Sequence, residues 1–127
     1  MPSESWRSVR VTWLDREGTV ARLRAAVEAL AERHPELERA ILFGSLARGD
    51  AVPGSDADLL LVLIDSPLPF LERMLVYTPK DCGIAVDVFP YTRAELARMV
   101  EEGNTFVREA QATGIVLFER MAAGKRP

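Results

Sequence analysis

The chain has 127 residues, of which 48% are apolar and 28% charged, with a formal net charge of -3. That length suits one self-standing unit able to bury roughly two-thirds of its unfolded surface, and the balance of residues excludes the disordered and collagen-like classes. The acidic balance leaves no basic field to attract nucleic acid, while a lone cysteine, Cys82, and a lone histidine, His34, exclude an intrachain disulfide, a cysteine zinc cluster and a multi-histidine metal site.

In chain order, Val9, Val11 and Trp13 alternate with polar residues and predict a short strand. Val20, Leu23, Val27 and Leu30 recur at spacings of three and four, so an amphipathic helix is expected from about Arg16 to Arg33. Pro35 ends it, because the residue before a proline is pushed out of the helical region. Arg39 to Phe43 reads as a strand that runs into a turn at Gly44, and Ser45 to Gly49 as a brief helical turn.

Leu59 to Ile64 carries no polar alternation, as expected of a strand covered on both faces in the middle of a sheet. A helix follows over about Phe70 to Tyr77, with Pro69 in its first turn. Ile84 to Phe89 is the next predicted strand, ended by Pro90. Thr92 and Glu95 form a Thr-x-x-Glu capping box for a helix whose apolar face is Leu96, Met99 and Val100 and whose stop is Gly103. Asn104 or Thr105 caps a further helix to about Ala112, Gly114 ends that one, Ile115 to Phe118 is a last strand, and 122–127 reads as a frayed end. The sum is an α+β unit with a mixed four- to five-stranded sheet and three or four helices packed against it. A single domain is expected over 1–127, with its core at about 9–119. No basic segment precedes an apolar run, and Leu59 to Ile64 is far too short to span a bilayer, so no membrane role is expected and the chain reads as cytoplasmic.

The stretch that reads as a site is Phe43 to Asp58. It places a Gly-Ser pair after one apolar strand and two aspartates before the next. Residues two apart in a strand share a face, so Asp56 and Asp58 point the same way. Asp87 lies inside another predicted strand, where an unpaired charge is costly to bury, so it needs a partner. If that strand runs beside the one after Asp58, about 4.8 Å away, three carboxylates crowd together and repel unless a cation sits among them. Oxygen-only donors favour Mg2+ or Mn2+ over zinc, and three carboxylates with two such ions suit phosphoryl or nucleotidyl transfer. Gly44 would let a phosphate approach the backbone, and Ser45 would offer its N–H and hydroxyl. Arg48 is placed to add charge near the phosphates or to pair locally with Asp50. Taken singly, Gly-Ser after a strand is a turn with a helix cap, and Asp-x-Asp is a solvated turn. Asp87 within a strand is what neither bland reading explains. A Ser-His-Asp hydrolase would have to use His34, and no Gly-x-Ser-x-Gly elbow is present.

Gly44-Ser45-Leu46-Ala47-Arg48-Gly49, then Ser55-Asp56-Ala57-Asp58-Leu59, with Asp87 on a later strand, resembles the minimal nucleotidyltransferases of the polymerase-beta-like nucleotidyltransferase superfamily. The resemblance implies a nucleotidyltransferase-like fold and transfer of a nucleoside monophosphate from a Mg-bound nucleoside triphosphate, ATP first of all, to an acceptor hydroxyl. It further implies that Gly44 and Ser45 hold the triphosphate, that Asp56 and Asp58 ligate two metal ions, and that Asp87 completes the nucleophile-side metal and helps deprotonate the acceptor. Many such proteins stand beside a helical HEPN protein, some as antitoxins that modify a tyrosine of that partner with AMP. Others modify antibiotics, transfer RNA ends or regulatory proteins. The residues themselves lead only as far as nucleotidyl transfer, with a HEPN-like partner, a homodimer, a transfer RNA end, a small-molecule acceptor and a non-catalytic binding module all left open.

Overall fold

A computed structural model describes residues 15–52 and 54–120. The strand expected over 9–13 and the end expected over 122–127 lie outside the described residues. The elements run α1 (Arg16–Arg33), β1 (Leu37–Phe43), α2 (Ser45–Arg48), β2 (Ala57–Leu63), α3 (Phe70–Tyr77), β3 (Val86–Thr92), α4 (Arg93–Glu101), α5 (Thr105–Thr113) and β4 (Ile115–Glu119). The described strands form one sheet in the order β3-β2-β1-β4. β1 is antiparallel to both β2 and β4, whereas β2 and β3 are parallel, which makes the sheet mixed.

Each helix begins and ends where its residues dictate. The Asp15 carboxylate accepts the Gly18 N–H at 3.1 Å to start α1, and His34 closes it before Pro35. The Thr92/Glu95 capping box is formed in both directions, and Asn104 accepts the Val107 N–H at 3.0 Å to start α5. Pro69 stands one place earlier than expected, as the N-cap of α3. Gly114 stops α5 so close to β1 that a Cβ there would lie 2.3 Å from the Ala110 carbonyl and from Ile41.

Alternation along β2 sends Leu59, Leu61 and Leu63 to one face, where they pack with Leu23, Val27 and Leu30 of α1. Leu60 and Val62 go to the other face, under Leu96 of α4 and Val107 and Ala110 of α5. β2 is therefore covered on both sides, as its unbroken apolar run predicts. Among the described residues no helix is long and apolar enough to cross a membrane.

Several strand boundaries differ from the sequence reading: β1 and β2 each begin two residues earlier, at Leu37 and Ala57, β2 ends at Leu63, and β3 begins two residues later, at Val86. β3 does not stop before Pro90 but runs through it to Thr92. The Ala57 N–H donates to the Ala85 carbonyl at 2.8 Å, and in a parallel ladder this turns the odd-numbered residues of β3 towards β2 and Pro90 towards the outer edge. β3 is an edge strand, so the missing N–H costs no ladder bond.

The outward carbonyl of Pro90 is taken up by Arg73, a buried arginine of α3. Its guanidinium also donates to the Leu68 carbonyl at 2.8 Å and, through two nitrogens, to Glu95 at 2.7 and 3.0 Å. Arg73 thereby ties α3 and α4 to the edge of the sheet, and its hydrogen bonds hold the Glu95 carboxyl below the usual carboxylate range against the opposing effect of burial. Arg73→Met is expected to destabilise the fold by about 2–4 kcal/mol, since two carbonyls lose their donor and Glu95 loses its counter-ion. Because the folded Glu95 pKa is depressed, the pair's contribution is present at neutral pH and lost as acid protonates Glu95. Urea melts should show the native and Arg73→Met proteins converging as pH falls, and a constant gap would contradict that assignment.

Candidate active site

The end of β1, the short α2 and the first residues of β2 and β3 meet on the face covered by α4 and α5, at the end those helices leave open. Asp58 pairs in register with Phe43 on one side and with Asp87 on the other. The sheet thus brings Asp58 and Asp87 onto neighbouring strands, about 4.8 Å apart by sheet geometry. Asp56 sits just before β2 and is exposed. Burial pushes the Asp58 carboxyl up from the usual range, the charges of Asp87 and Asp56 raise it further, and Arg48 opposes them. Asp58 is therefore the centre of a carboxylate trio that feels its own repulsion.

Asp87 itself is exposed. The expectation that it needs a partner because a strand buries it is corrected here: the covering helices lie over Leu60 and Val62, and the aspartate end of the same face is left open to water. An aromatic cluster stands beside it. Phe43 and Phe89 pack against Phe106 of α5 with ring centroids 5.0 and 5.1 Å away, and close the apolar core directly behind the carboxylates.

Gly44 turns the chain between β1 and α2 with φ 81° and ψ -157°, a conformation essentially confined to glycine. A Cβ on it would lie 2.5 Å from the Oδ2 atom of Asp58. Gly44 is thus demanded by its own backbone conformation and favoured by the position of the Asp58 carboxylate, apart from any phosphate. Ser45 is the first residue of α2, and its hydroxyl has no hydrogen-bond partner among the described residues. Arg48 is not free: its guanidinium contacts Glu109 of α5 at 3.0 Å and Asp50 at 3.3 Å. Both partners are exposed, so such pairs are worth only about 0–1 kcal/mol and are readily exchanged.

Two residues at this loop escaped sequence reasoning. Arg16, the first residue of α1, donates to the Leu46 and Ala47 carbonyls at 2.9 and 2.8 Å and pins α2 from 30 residues earlier in the chain. Glu109 holds Arg48 across 61 residues. Neither carries a local signal, because an arginine opening a helix and a glutamate on a helix face each have a routine surface explanation.

Among the described residues, no group of three or more Asp, Glu, His or Cys side chains stands ready-made as a cage for a metal ion. Magnesium does not require one, since it is commonly held by one or two carboxylates together with substrate phosphates. An oxygen-only donor set with Asp58 destabilised by its neighbours fits a hard cation of that kind.

A comparison with curated proteins gives no match. Among solved structures, a protein of Sulfolobus solfataricus assigned as a nucleotidyltransferase is 23% identical, with 83% of this chain and 84% of that chain covered at a TM-score of 0.59, and it shares the fold. A toxin-antitoxin structure with AMP-PNP is 18% identical, with 85% of this chain and 76% of that chain covered at a TM-score of 0.47. A family model described as a nucleotidyltransferase domain matches residues 23–102, which span α1 to α4 and include Gly44, Ser45, Asp56, Asp58 and Asp87. With the match covering more than half of the chain and three of the four described strands, the loop and the carboxylates lying in that segment, this chain belongs to the nucleotidyltransferase domain family of the polymerase-beta-like superfamily.

Proposed function

We propose that the chain moves a nucleoside monophosphate, AMP from ATP first of all, onto a hydroxyl presented by another protein, with pyrophosphate leaving. The observation that carries this reading is the Asp58–Asp87 register across β2 and β3, with Asp56 beside it and Gly44 bare against the Asp58 carboxylate. The family generally works with a divalent cation, and we assign Mg2+ here, two ions with Mn2+ as a substitute, on the oxygen-only donors. When bound, such cations polarise the phosphoryl group and stabilise charge on the attacking and leaving oxygens.

The chain's own residues do the rest. Asp56 and Asp58 would hold the bound cations, with Asp87 completing the one on the acceptor side. Asp87, exposed at the open end, faces the acceptor and takes its hydroxyl proton. Ser45, whose hydroxyl has no partner among the described residues, donates it to a phosphate oxygen, and Arg48 exchanges Glu109 for the triphosphate. Within residues 15–120 every element goes into the sheet or the layers covering it, so positioning of the acceptor falls to another molecule. A HEPN-like helical protein is the family-based choice.

Ser45→Ala is expected to weaken Mg-ATP binding by about 1–2 kcal/mol, the value of one hydrogen bond to a charged group, with the fold unchanged. Calorimetric titration checks it, and an unaltered affinity would place the triphosphate away from Ser45. The reaction class is tested with ATP labelled at the α or the γ position, magnesium, and the protein encoded beside this one. Label from the α position on a protein, with pyrophosphate released, is expected. Label from the γ position would mean phosphoryl transfer and overturn the reading. Label from the α position on a small molecule would keep nucleotidyl transfer and overturn the protein acceptor.

A further inference from the structure

Asp87, Phe89 and Tyr91 alternate along one face of β3, so Tyr91 stands about 13 Å from Asp87 on the same side of the sheet. There an open groove of about 420 Å3 is lined by Phe70, Tyr91, Glu95, Arg98, Met99 and Glu102. Its floor is apolar, with the Phe70 and Tyr91 rings 5.0 Å apart. Glu95 is committed to Arg73 and to the Thr92 N–H. Arg98 and Glu102, by contrast, are exposed, and neither has an ion-pair partner among the described residues, although they lie one helical turn apart.

We propose that this groove is the contact surface of a second copy of the chain, the two α4 helices crossing about a two-fold axis so that Arg98 of each copy meets Glu102 of the other. A two-fold contact needs a surface that complements itself, residue i meeting j while j meets i. One cation and one anion four residues apart on a helix meet that condition when the helices run antiparallel, and Met99 then lies near the axis over the aromatic floor. Two exposed apolar side chains are neighbours of the lining residues in sequence: Val100 follows Met99 and is 47% exposed, and Leu71 follows Phe70 and is 74% exposed. An open groove with balanced charges neither encloses a small molecule nor offers the excess of cations that a polyphosphate needs. The contact does not depend on the nucleotide chemistry.

Sedimentation velocity of the full chain over a concentration series, for the native protein, Arg98→Glu, Glu102→Arg and the double variant, tests it. A reversible native dimer is expected, with each single reversal raising the dissociation constant at least about tenfold, because two attractive contacts per dimer become repulsive. The double variant should return to within about threefold of native. Arg98→Gln and Glu102→Gln give the same order with smaller shifts, should a reversal disturb folding. A native protein that stays monomeric up to about 1 mM, a dimer indifferent to the single variants, or a double variant no better than the singles would each overturn the proposal.

Discussion

Asp58→Asn is expected to cut nucleotidyl transfer by about 10²- to 10⁴-fold while leaving the fold intact, the scale of loss when a site's charge and proton chemistry fail. Asp58 has Asp87 as its register partner and Asp56 two residues back, and its carboxyl is raised first by burial and then by the charges of those two. Asparagine keeps the shape and removes the charge that would hold the cation. The same change should raise stability in metal-free buffer. A folded-state pKa above the ordinary aspartate value means that ionised Asp58 destabilises the fold, a cost that appears as pH rises through the unfolded value and vanishes in acid. The Asn variant should therefore melt above the native protein at neutral pH and level with it in acid. Transfer at the native rate by purified Asp58→Asn protein would remove Asp58 from the site.

Gly44→Ala is expected to damage the site far more than Ser45→Ala, and Gly44→Val more again. The backbone at Gly44 lies in a region essentially closed to other residues, which alone costs about 1–3 kcal/mol. The added Cβ would also lie 2.5 Å from the Asp58 Oδ2 atom, so the carboxylate must turn away from the site. The collision with Asp58 makes the glycine more than a clearance for phosphate. Mg-ATP affinity should fall in the order native, Ser45→Ala, Gly44→Ala, Gly44→Val, with urea melts separating lost stability from lost binding. Equal affinities for Gly44→Ala and Ser45→Ala would contradict the contact.

Much of this was legible because the decisive residues punctuate strong local patterns. The unbroken run Leu59 to Ile64 pointed to the inner strand β2, the Thr92/Glu95 box marked α4, and a Gly-Ser pair with two aspartates at strand ends pointed to the candidate site. The mutual register of the strands was not legible, because periodicity tells which face a residue occupies but not which residue stands opposite. That Asp58 pairs with Asp87 was only a conditional until β2 and β3 proved to be parallel neighbours. Pro90 misled for the same reason: a proline ends a strand in the middle of a sheet but not on its outer edge, and edge position is a property of the whole topology. Asp87 looked costly because its sequence neighbours are apolar, yet its face of the sheet is open there. Arg16 on the loop carbonyls and Glu109 on Arg48 are contacts across 30 and 61 residues, which no local pattern encodes.

The central claim is that Asp56, Asp58 and Asp87, with the Gly44-Ser45 turn, form a site for a metal-bound nucleoside triphosphate. The most direct test is calorimetric titration of the native and Asp58→Asn proteins with ATP, each with and without magnesium. Saturable binding by the native protein that requires magnesium, and its loss in Asp58→Asn, is the result predicted. Equal ATP affinity with and without the metal, or an affinity untouched by Asp58→Asn, would contradict it.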